Sequence, residues 1–403
     1  MSESEQFIQP IKRLFAAKVA KLDGKGVPPT LEAETTTYSI DSRNFRLLRP
    51  HELTEVTLER TVGVGDVVVE PTLASICHAD LRYYTGQRRP EALARKLPLT
   101  LLHEGIGRVV SSRAPGTAAG ERVVIVPNIP GFLRDRTSPE QCCPACGGGL
   151  GEHYCHQGRF LGSSMDGIAQ QRLVLPAECA LPIPDEVPDE IAVLAELCSV
   201  SHRAASLVRD KLGSGASVAV FGDGPVGYLT AAMLHHVFGV GRDRLLVFGA
   251  IPDKISQFDF ASQALVQEFD FAHADQVDIA IECTGGRFSE SAVNQAIDLL
   301  KPGGTLVLMG VTEERVPINT RDVLEKGIAM LGSSRSSRSD FAEVLQAMKS
   351  PDCQETLRRL LPERITPVRT ARDYKAALEE TAEHRGWKKT VLEFEWELEE
   401  EHR

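Results

Sequence analysis

Ser217-Val218-Ala219-Val220-Phe221-Gly222-Asp223-Gly224-Pro225-Val226-Gly227 is the stretch that decides the fold. A run of small and β-branched apolar residues ends in glycines spaced G-x-G-x-x-G, and a helical pattern from Val226 to Phe238 follows at once. Alone, that glycine spacing is often only a turn. Between a strand and a helix each glycine has a physical task. Gly222 permits the tight turn, Gly224 lets a diphosphate approach the backbone, and Gly227 lets the helix pack close to the strand. Pro225 and Val226 open the helix, whose first amides and positive dipole end then face the phosphates. Further apolar runs at Arg244–Phe248, Val277–Glu282 and Thr305–Met309 alternate with helical patterns. The segment from about 201 to 340 is therefore expected to be a Rossmann, doubly wound parallel sheet in an α/β chain.

The second strand of that unit narrows the cofactor. An NAD-binding chain usually ends it with a carboxylate that accepts hydrogen bonds from the adenosine ribose. Here it reads Leu245-Leu246-Val247-Phe248-Gly249-Ala250, so Gly249 stands where the carboxylate is expected. The missing charge leaves room for a 2′-phosphate, and Lys254 is the nearest downstream cation. NADPH is favoured over NADH; the alternative is an unmodified ribose held by another polar group.

Residues from about 41 to 200 show short β runs between Gly, Pro and polar turns, such as Arg122–Pro127 and Gln171–Leu175. The tail, 341–403, adds a helix at Phe341–Met348 and a strand at Thr390–Phe394, and is grouped with this β-rich catalytic domain. Cys77 follows the strand-like Asp66-Val67-Val68-Val69-Glu70, and His103-Glu104 and Glu196 come later. A thiolate, an imidazole and a carboxylate form the mixed ligand set of a catalytic zinc, although spacing alone does not prove that they converge. Asp80 is the expected carboxylate orienting His103. Glu196 sits in the apolar run Ala195-Glu196-Leu197-Cys198-Ser199-Val200, and a buried carboxylate there needs a cation or a hydrogen-bond partner. It either ligates the metal itself or holds a water and exchanges with Glu104. A second cluster, Cys142, Cys143, Cys146 and Cys155, has the makings of a closed structural zinc site, with His153 as a replacement for one of the adjacent pair.

Composition excludes other classes. The 403 residues suit two domains, and the net charge of −11 without a basic stripe argues against nucleic acid. No apolar run reaches the length of a membrane span. Nine cysteines, an odd number in a long chain, fit thiols and metal ligands in a reducing cytoplasm. Residues 1–40 stand apart as an N-terminal extension, with Ile8, Ile11, Leu14, Phe15, Val19 and Leu22 at helical spacing among lysines and arginines, then a Gly/Pro linker. A basic amphipathic helix of this kind docks on its own protein or a partner subunit, or touches membrane.

With these motifs in place the chain resembles the zinc-containing medium-chain alcohol and polyol dehydrogenases over roughly residues 45 to 395. The resemblance rests on Cys77-His78-Ala79-Asp80, His103-Glu104-Gly105-Ile106-Gly107, the cysteine cluster, Gly222–Gly227 and Glu282-Cys283-Thr284-Gly285-Gly286. It implies a GroES-like fold for the β-rich domain, a homodimer or homotetramer, and nicotinamide contacts near Thr284 and Val311. A nearer similarity, to the NADPH-dependent ribulose-5-phosphate reductases, is carried by Arg82-Tyr83-Tyr84-Thr85-Gly86, Ile318–Gly327 and Gly332-Ser333-Ser334-Arg335-Ser336. The implied reaction interconverts D-ribulose 5-phosphate and D-ribitol 5-phosphate. Arg335 matches a substrate-contacting arginine of polyol dehydrogenases, and Arg82, Arg88 and Arg338 are further phosphate partners. The sequence departs from the family at Ala79, where many relatives carry a hydroxyl that relays the alcohol proton. Tyr83 or a water held by Glu196 must take that role. The cysteine cluster is irregularly spaced and the reductase branch largely lacks it. Two other functions stay open: a zinc dehydrogenase acting on an unphosphorylated alcohol or carbonyl, and a non-catalytic nucleotide-binding protein.

Overall fold

The computed structural model describes residues 37–384 and 386–396, so the expected amphipathic helix near the N-terminus lies outside the described residues. Six parallel strands form one sheet in the order Ser262–Leu265, Leu245–Gly249, Val218–Phe221, Val277–Glu282, Leu300–Leu308 and Ala329–Gly332. Val218–Phe221 is buried along its whole length, as a parallel strand covered on both faces requires. Phe221 stacks on Phe248 at 4.6 Å, and Phe269 and Phe271 complete an aromatic cluster beside them. Val218–Phe221 pairs with Leu245–Gly249 on one side and Val277–Glu282 on the other, both later in the chain, so the strand order reverses there. That reversal opens a crevice at the carboxyl ends of the strands.

The glycine turn fills this switch point as its spacing requires. Gly222 has φ +137, outside the range of ordinary side chains. A Cβ on Gly227 would lie 1.9 Å from the Gly222 carbonyl oxygen, so the helix Pro225–His236 can approach the strand only without one. A Cβ on Gly224 would meet nothing within 4 Å, which leaves that face of the turn free for a ligand.

The β-rich half is organised around Asp66–Ser75. This strand pairs antiparallel with Glu104–Ser112, Leu173–Pro176 and the C-terminal Val391–Phe394. Val391–Phe394 therefore returns to the sheet that holds the first half of the chain, and it also pairs with Thr366–Val368. A long hairpin, Tyr38–Arg49 with Glu52–Val62, was not singled out from sequence. Its second strand alternates half-buried and exposed residues, but the inward side carries Arg60, bonded to the buried Asn44, and Ser42 is buried too, so the apolar period is broken. Two expected boundaries move. The helix expected from Phe341 starts at Arg338, because Ser337 and Asp340 form a capping box ahead of it. The strand expected from Thr305 begins at Leu300, and its register shifts across Lys301–Gly304.

Helix Ala195–Ser206 packs on Pro225–His236 and on Arg338–Ala347 and carries Glu196 in its first turn. Gly227→Ala is expected to lower Tm by about 5 °C and to weaken NADPH binding at least tenfold. A thermal melt and a fluorescence titration check this; an unchanged Kd would show that the close approach is dispensable.

Candidate active site

Cys77 and His103 reach one place because Asp80 ties their segments together. The Asp80 side chain accepts the Cys77 backbone N–H on Oδ2 at 3.0 Å, capping the helix His78–Tyr84 that starts after Cys77. Its Oδ1 accepts the Leu102 N–H at 3.0 Å, holding Leu102 at φ +74 just before His103. The same oxygen lies 3.6 Å from His103 Nδ1, which leaves Nε2 free for another partner. Donor atoms of Cys77, His103 and Glu104 all lie within 4.8 Å of one another.

Glu104 is held asymmetrically. Lys389 Nζ donates to Oε2 at 2.8 Å and to the Ile76 carbonyl at 2.8 Å, and the Ser75 hydroxyl also donates to Oε2. Oε1 is buried without any hydrogen-bond partner. A buried carboxylate beside a thiol and an imidazole, with one oxygen unpartnered, calls for a cation, so the residues present fit a zinc ion. The electrostatics agree. Burial pushes the Cys77 thiol up and Glu104 adds to that, while His103 and Lys389 oppose it. Burial alone would lower His103, but Asp80 and Cys77 outweigh it and raise the imidazole well above its ordinary value. Glu196 is 4 % exposed and lies outside the trio, yet it faces the same charges. Burial pushes its carboxyl up to about 7; His103 opposes the rise and Glu104 adds to it.

The remaining expected residues divide. Tyr83, on the helix after Cys77, receives a hydrogen bond on Oη from Lys96 Nζ at 2.7 Å and lies 3.3 Å from Ser163 Oγ. Lys96 also donates to Ser163 at 2.8 Å, closing a triangle. Burial would raise the phenol, but the hydrogen bonds from Lys96 and Ser163 and the charges of Lys96 and Arg88 bring it below its ordinary value. Arg335, at φ +63, places its guanidinium 5.1 Å from the centre of the Phe160 ring, which lies 5.4 Å from the His103 ring. Among the described residues nothing forms a hydrogen bond or ion pair with that guanidinium. Arg338 does not join them. Its guanidinium is bound through two nitrogens to Glu152, at 3.1 Å and 2.8 Å, so the sequence-based role in phosphate binding is replaced by a structural one.

On the nucleotide side, Glu282 organises the two loops expected at the nicotinamide. Its Oε1 accepts the N–H groups of Thr284 (2.8 Å) and Gly285 (3.1 Å) and the Thr284 hydroxyl, and its Oε2 accepts the Gly310 N–H at 3.1 Å. Val311 follows, 57 % exposed, and its carbonyl accepts the Gly286 N–H. Gly249 has a local reason as well: a Cβ there would lie 2.7 Å from Asp223 Cβ. Asp223 Oδ2 accepts the Ala250 and Ile251 N–H groups at 2.8 and 2.9 Å. Lys254 lies in the short helix Pro252–Ile255 just beyond.

The cysteine cluster also converges. The sulfurs of Cys142, Cys143, Cys146 and Cys155 lie within 4.8 Å of one another. Cys155 Sγ is 3.6 Å from Cys142 Sγ and 3.9 Å from Cys143 Sγ. These are not disulfide distances, but a tetrahedron of sulfurs with Zn–S bonds of 2.3 Å has edges of about 3.8 Å. Backbone N–H groups, first that of Cys146 and then that of His156, bring Cys143 down to about 6. His153 stays outside the group, and both its ring nitrogens are buried without partners. Sequence reasoning missed Ser75, Lys96, Ser163, Glu282 as an organiser, Glu313 and Lys389. Polar residues of these types carry no signal of burial.

Comparison with known proteins agrees with this architecture. Residues 63–185 match the alcohol dehydrogenase GroES-like domain, and residues 256–350 match the zinc-binding dehydrogenase domain. The chain belongs to the zinc-binding dehydrogenase family. It is 34 % identical to the ribulose-5-phosphate reductase of Bacillus spizizenii, over 88 % of this chain and 99 % of that one. It is 35 % identical to ribulose-5-phosphate reductase 1 of Staphylococcus aureus, over 87 % and 98 % of the two chains. The solved structure of S. aureus TarJ in complex with NADPH superposes with a TM-score of 0.73 at 31 % identity, covering 88 % of this chain and all of that one. No helix among the described residues is long and apolar enough to cross a membrane.

Lys389→Met is expected to cost about 3 kcal/mol in the metal-free protein, because it strands the Glu104 charge. Zinc would supply a substitute cation, so the loss in Tm should be smaller in the zinc-replete protein. Melts of both forms check this; equal losses would mean that the lysine and the metal do not share the carboxylate.

Proposed function

We propose that the protein reduces the keto group of D-ribulose 5-phosphate to give D-ribitol 5-phosphate, with NADPH and a zinc ion. The observation that carries the reading is the convergence of Cys77, His103 and Glu104, whose Oε1 is unpartnered, in a chain whose relatives include ribulose-5-phosphate reductases. Cys77, His103 and Glu104 would hold the metal, and Glu196 is the neighbouring carboxylate able to exchange with Glu104. When bound, zinc supplies a Lewis acid for the keto oxygen and NADPH supplies the hydride. Asp80 fixes the His103 ring. Gly222, Gly224, Pro225, Val226 and Gly227 would hold the diphosphate, and Thr284 and Val311 would contact the nicotinamide. Gly249 and Lys254 favour the 2′-phosphate, in keeping with the NADPH in the TarJ complex.

Ala79 offers no hydroxyl, so Tyr83 donates the proton to the reduced oxygen and Lys96 and Ser163 replenish it. Tyr83 must be protonated to act in this direction, and its lowered pKa sets where activity fades as pH rises. Lys96→Met removes the main influence lowering that pKa. The alkaline limb of ketone reduction is expected to move to higher pH, while Tyr83→Phe lowers kcat by about 10²-fold or more. A pH–rate series on the metal-replete enzyme tests this. A screen of NADPH oxidation with pentulose phosphates, free ketoses, aldehydes and aryl alcohols tests the substrate. A good rate with another carbonyl and none with any pentulose phosphate sinks the substrate assignment.

Cys142, Cys143, Cys146 and Cys155 would hold a second, structural zinc on this reading, supported by sulfur separations of 3.6 and 3.9 Å and by all four lying within 4.8 Å of one another. Elemental analysis is expected to find two zinc ions per chain, falling to one in Cys143→Ser; one in the unaltered protein would exclude the second site. The nine free cysteines suit a reducing cytoplasm, and the open edge strand Ala329–Gly332 suits pairing in a homodimer or homotetramer.

A further inference from the structure

We infer that Arg82, Arg88 and Arg89 form the seat for the substrate's phosphate, and that Glu313 occupies this seat in the ligand-free protein and leaves it when the phosphate arrives. The inference rests on the reductase reading above and names the residues that would make it specific for a phosphorylated sugar.

The charge count at this place is unbalanced. Arg82 donates to Glu313 Oε1 at 3.0 Å and Arg88 to the same oxygen at 3.3 Å, while Arg89 lies 3.7 Å from Oε2. Three guanidinium groups thus share one carboxylate. The Nε atoms of Arg82 and Arg88 are buried without any partner. Two cationic side chains, 13 and 20 % exposed, are held close together with donors to spare. Burial and the neighbouring Arg88 charge both act against the Arg82 cation. A phosphate monoester brings a charge of about −1.5 to −2 and three acceptor oxygens, which matches this surplus better than one carboxylate does.

The position suits a short sugar phosphate. Arg82 lies five residues beyond Cys77 along the helix His78–Tyr84, about 7.5 Å of rise. In an extended pentulose 5-phosphate, five bonds of about 1.5 Å separate the keto carbon from phosphorus, a span of about 6 Å. Arg88 lies over the Tyr83 ring, 4.7 Å from its centre, so the seat adjoins the proposed proton donor. Glu313 comes two residues after Val311, on the loop that Glu282 anchors and where the nicotinamide would lie on that reading. One carboxylate on the nucleotide side therefore spans to the three arginines on the catalytic side. Its departure would couple phosphate binding to that loop. Arg335, standing alone on Phe160, is left for a sugar hydroxyl.

The test compares kcat/KM for D-ribulose 5-phosphate with that for D-ribulose in the zinc- and NADPH-replete enzyme. Arg82→Met and Arg88→Met are expected to reduce this preference by about 10- to 100-fold, the worth of one charge-assisted hydrogen-bonded contact. Arg335→Met should leave the preference within about threefold. Glu313→Gln keeps the shape of the side chain and removes the competing charge. Calorimetric titration of the NADP⁺-loaded protein with inorganic phosphate should then show binding several-fold tighter than in the unaltered protein, a readout independent of turnover. A preference that survives both arginine substitutions, or that collapses only in Arg335→Met, would overturn the seat and leave the reductase reading intact. Weaker phosphate binding in Glu313→Gln would likewise mean that the glutamate is a fixed latch and not a stand-in. An unaltered enzyme without preference for the phosphorylated ketose would overturn both readings together.

Discussion

Three carboxylates, Asp80, Glu104 and Glu196, lie buried around one thiol and one imidazole, faced by the buried ammonium of Lys389. This concentration of negative charge is the constraint on which the catalytic half depends. Burying an uncompensated carboxylate is expensive, so each must be answered by a donor or a cation. Asp80 is answered by the backbone of Cys77 and Leu102, and that pairing brings the two ligand-bearing segments together. Glu104 is answered on one oxygen only. Glu196 is pushed up to about 7 chiefly by its burial, with His103 opposing the rise and Glu104 adding to it. A divalent cation completes the balance, which is why the fold and the metal belong to one argument.

Lys389 connects that site to the topology. It sits two residues before Val391–Phe394, the strand that returns from the end of the chain to pair with Asp66–Ser75. Ser75, at the end of that partner strand, donates to the same carboxylate oxygen. The antiparallel pairing thus delivers a cation and a hydroxyl from remote parts of the sequence to Glu104. Glu282 plays the corresponding part in the nucleotide half, where one buried carboxylate gathers the loops after two adjacent parallel strands. In both halves a single acid fixes loops that must stay rigid while remaining open to a ligand.

The glycine turn, the parallel strands, Cys77 with His103-Glu104, and the four clustered cysteines were legible in the sequence because their signals are local. Apolar runs, turn glycines and metal-binding residue types carry their meaning within a few positions. The hairpin Tyr38–Val62 was not legible, since polar residues, Ser42 and Asn44, take buried positions and break the apolar period. Lys96, Ser163, Lys389 and Glu313 were not legible either. Each is an ordinary surface residue type whose role comes from burial or pairing with a distant residue. Arg338 shows the converse: it looked free in sequence, and Glu152, 186 residues away, engages it.

The sequence by itself determined the two architectures, the kind of chemistry and the ligand types, because these follow from periodicity and from what thiols, imidazoles, carboxylates and glycines can do. Only the tertiary structure decided which oxygen of Glu104 is left without a partner, which cation faces it, and which arginines crowd one carboxylate. Those outcomes depend on strand pairing and loop approach across hundreds of residues, where a charge acquires its meaning from what the fold places beside it and from how much water the fold removes.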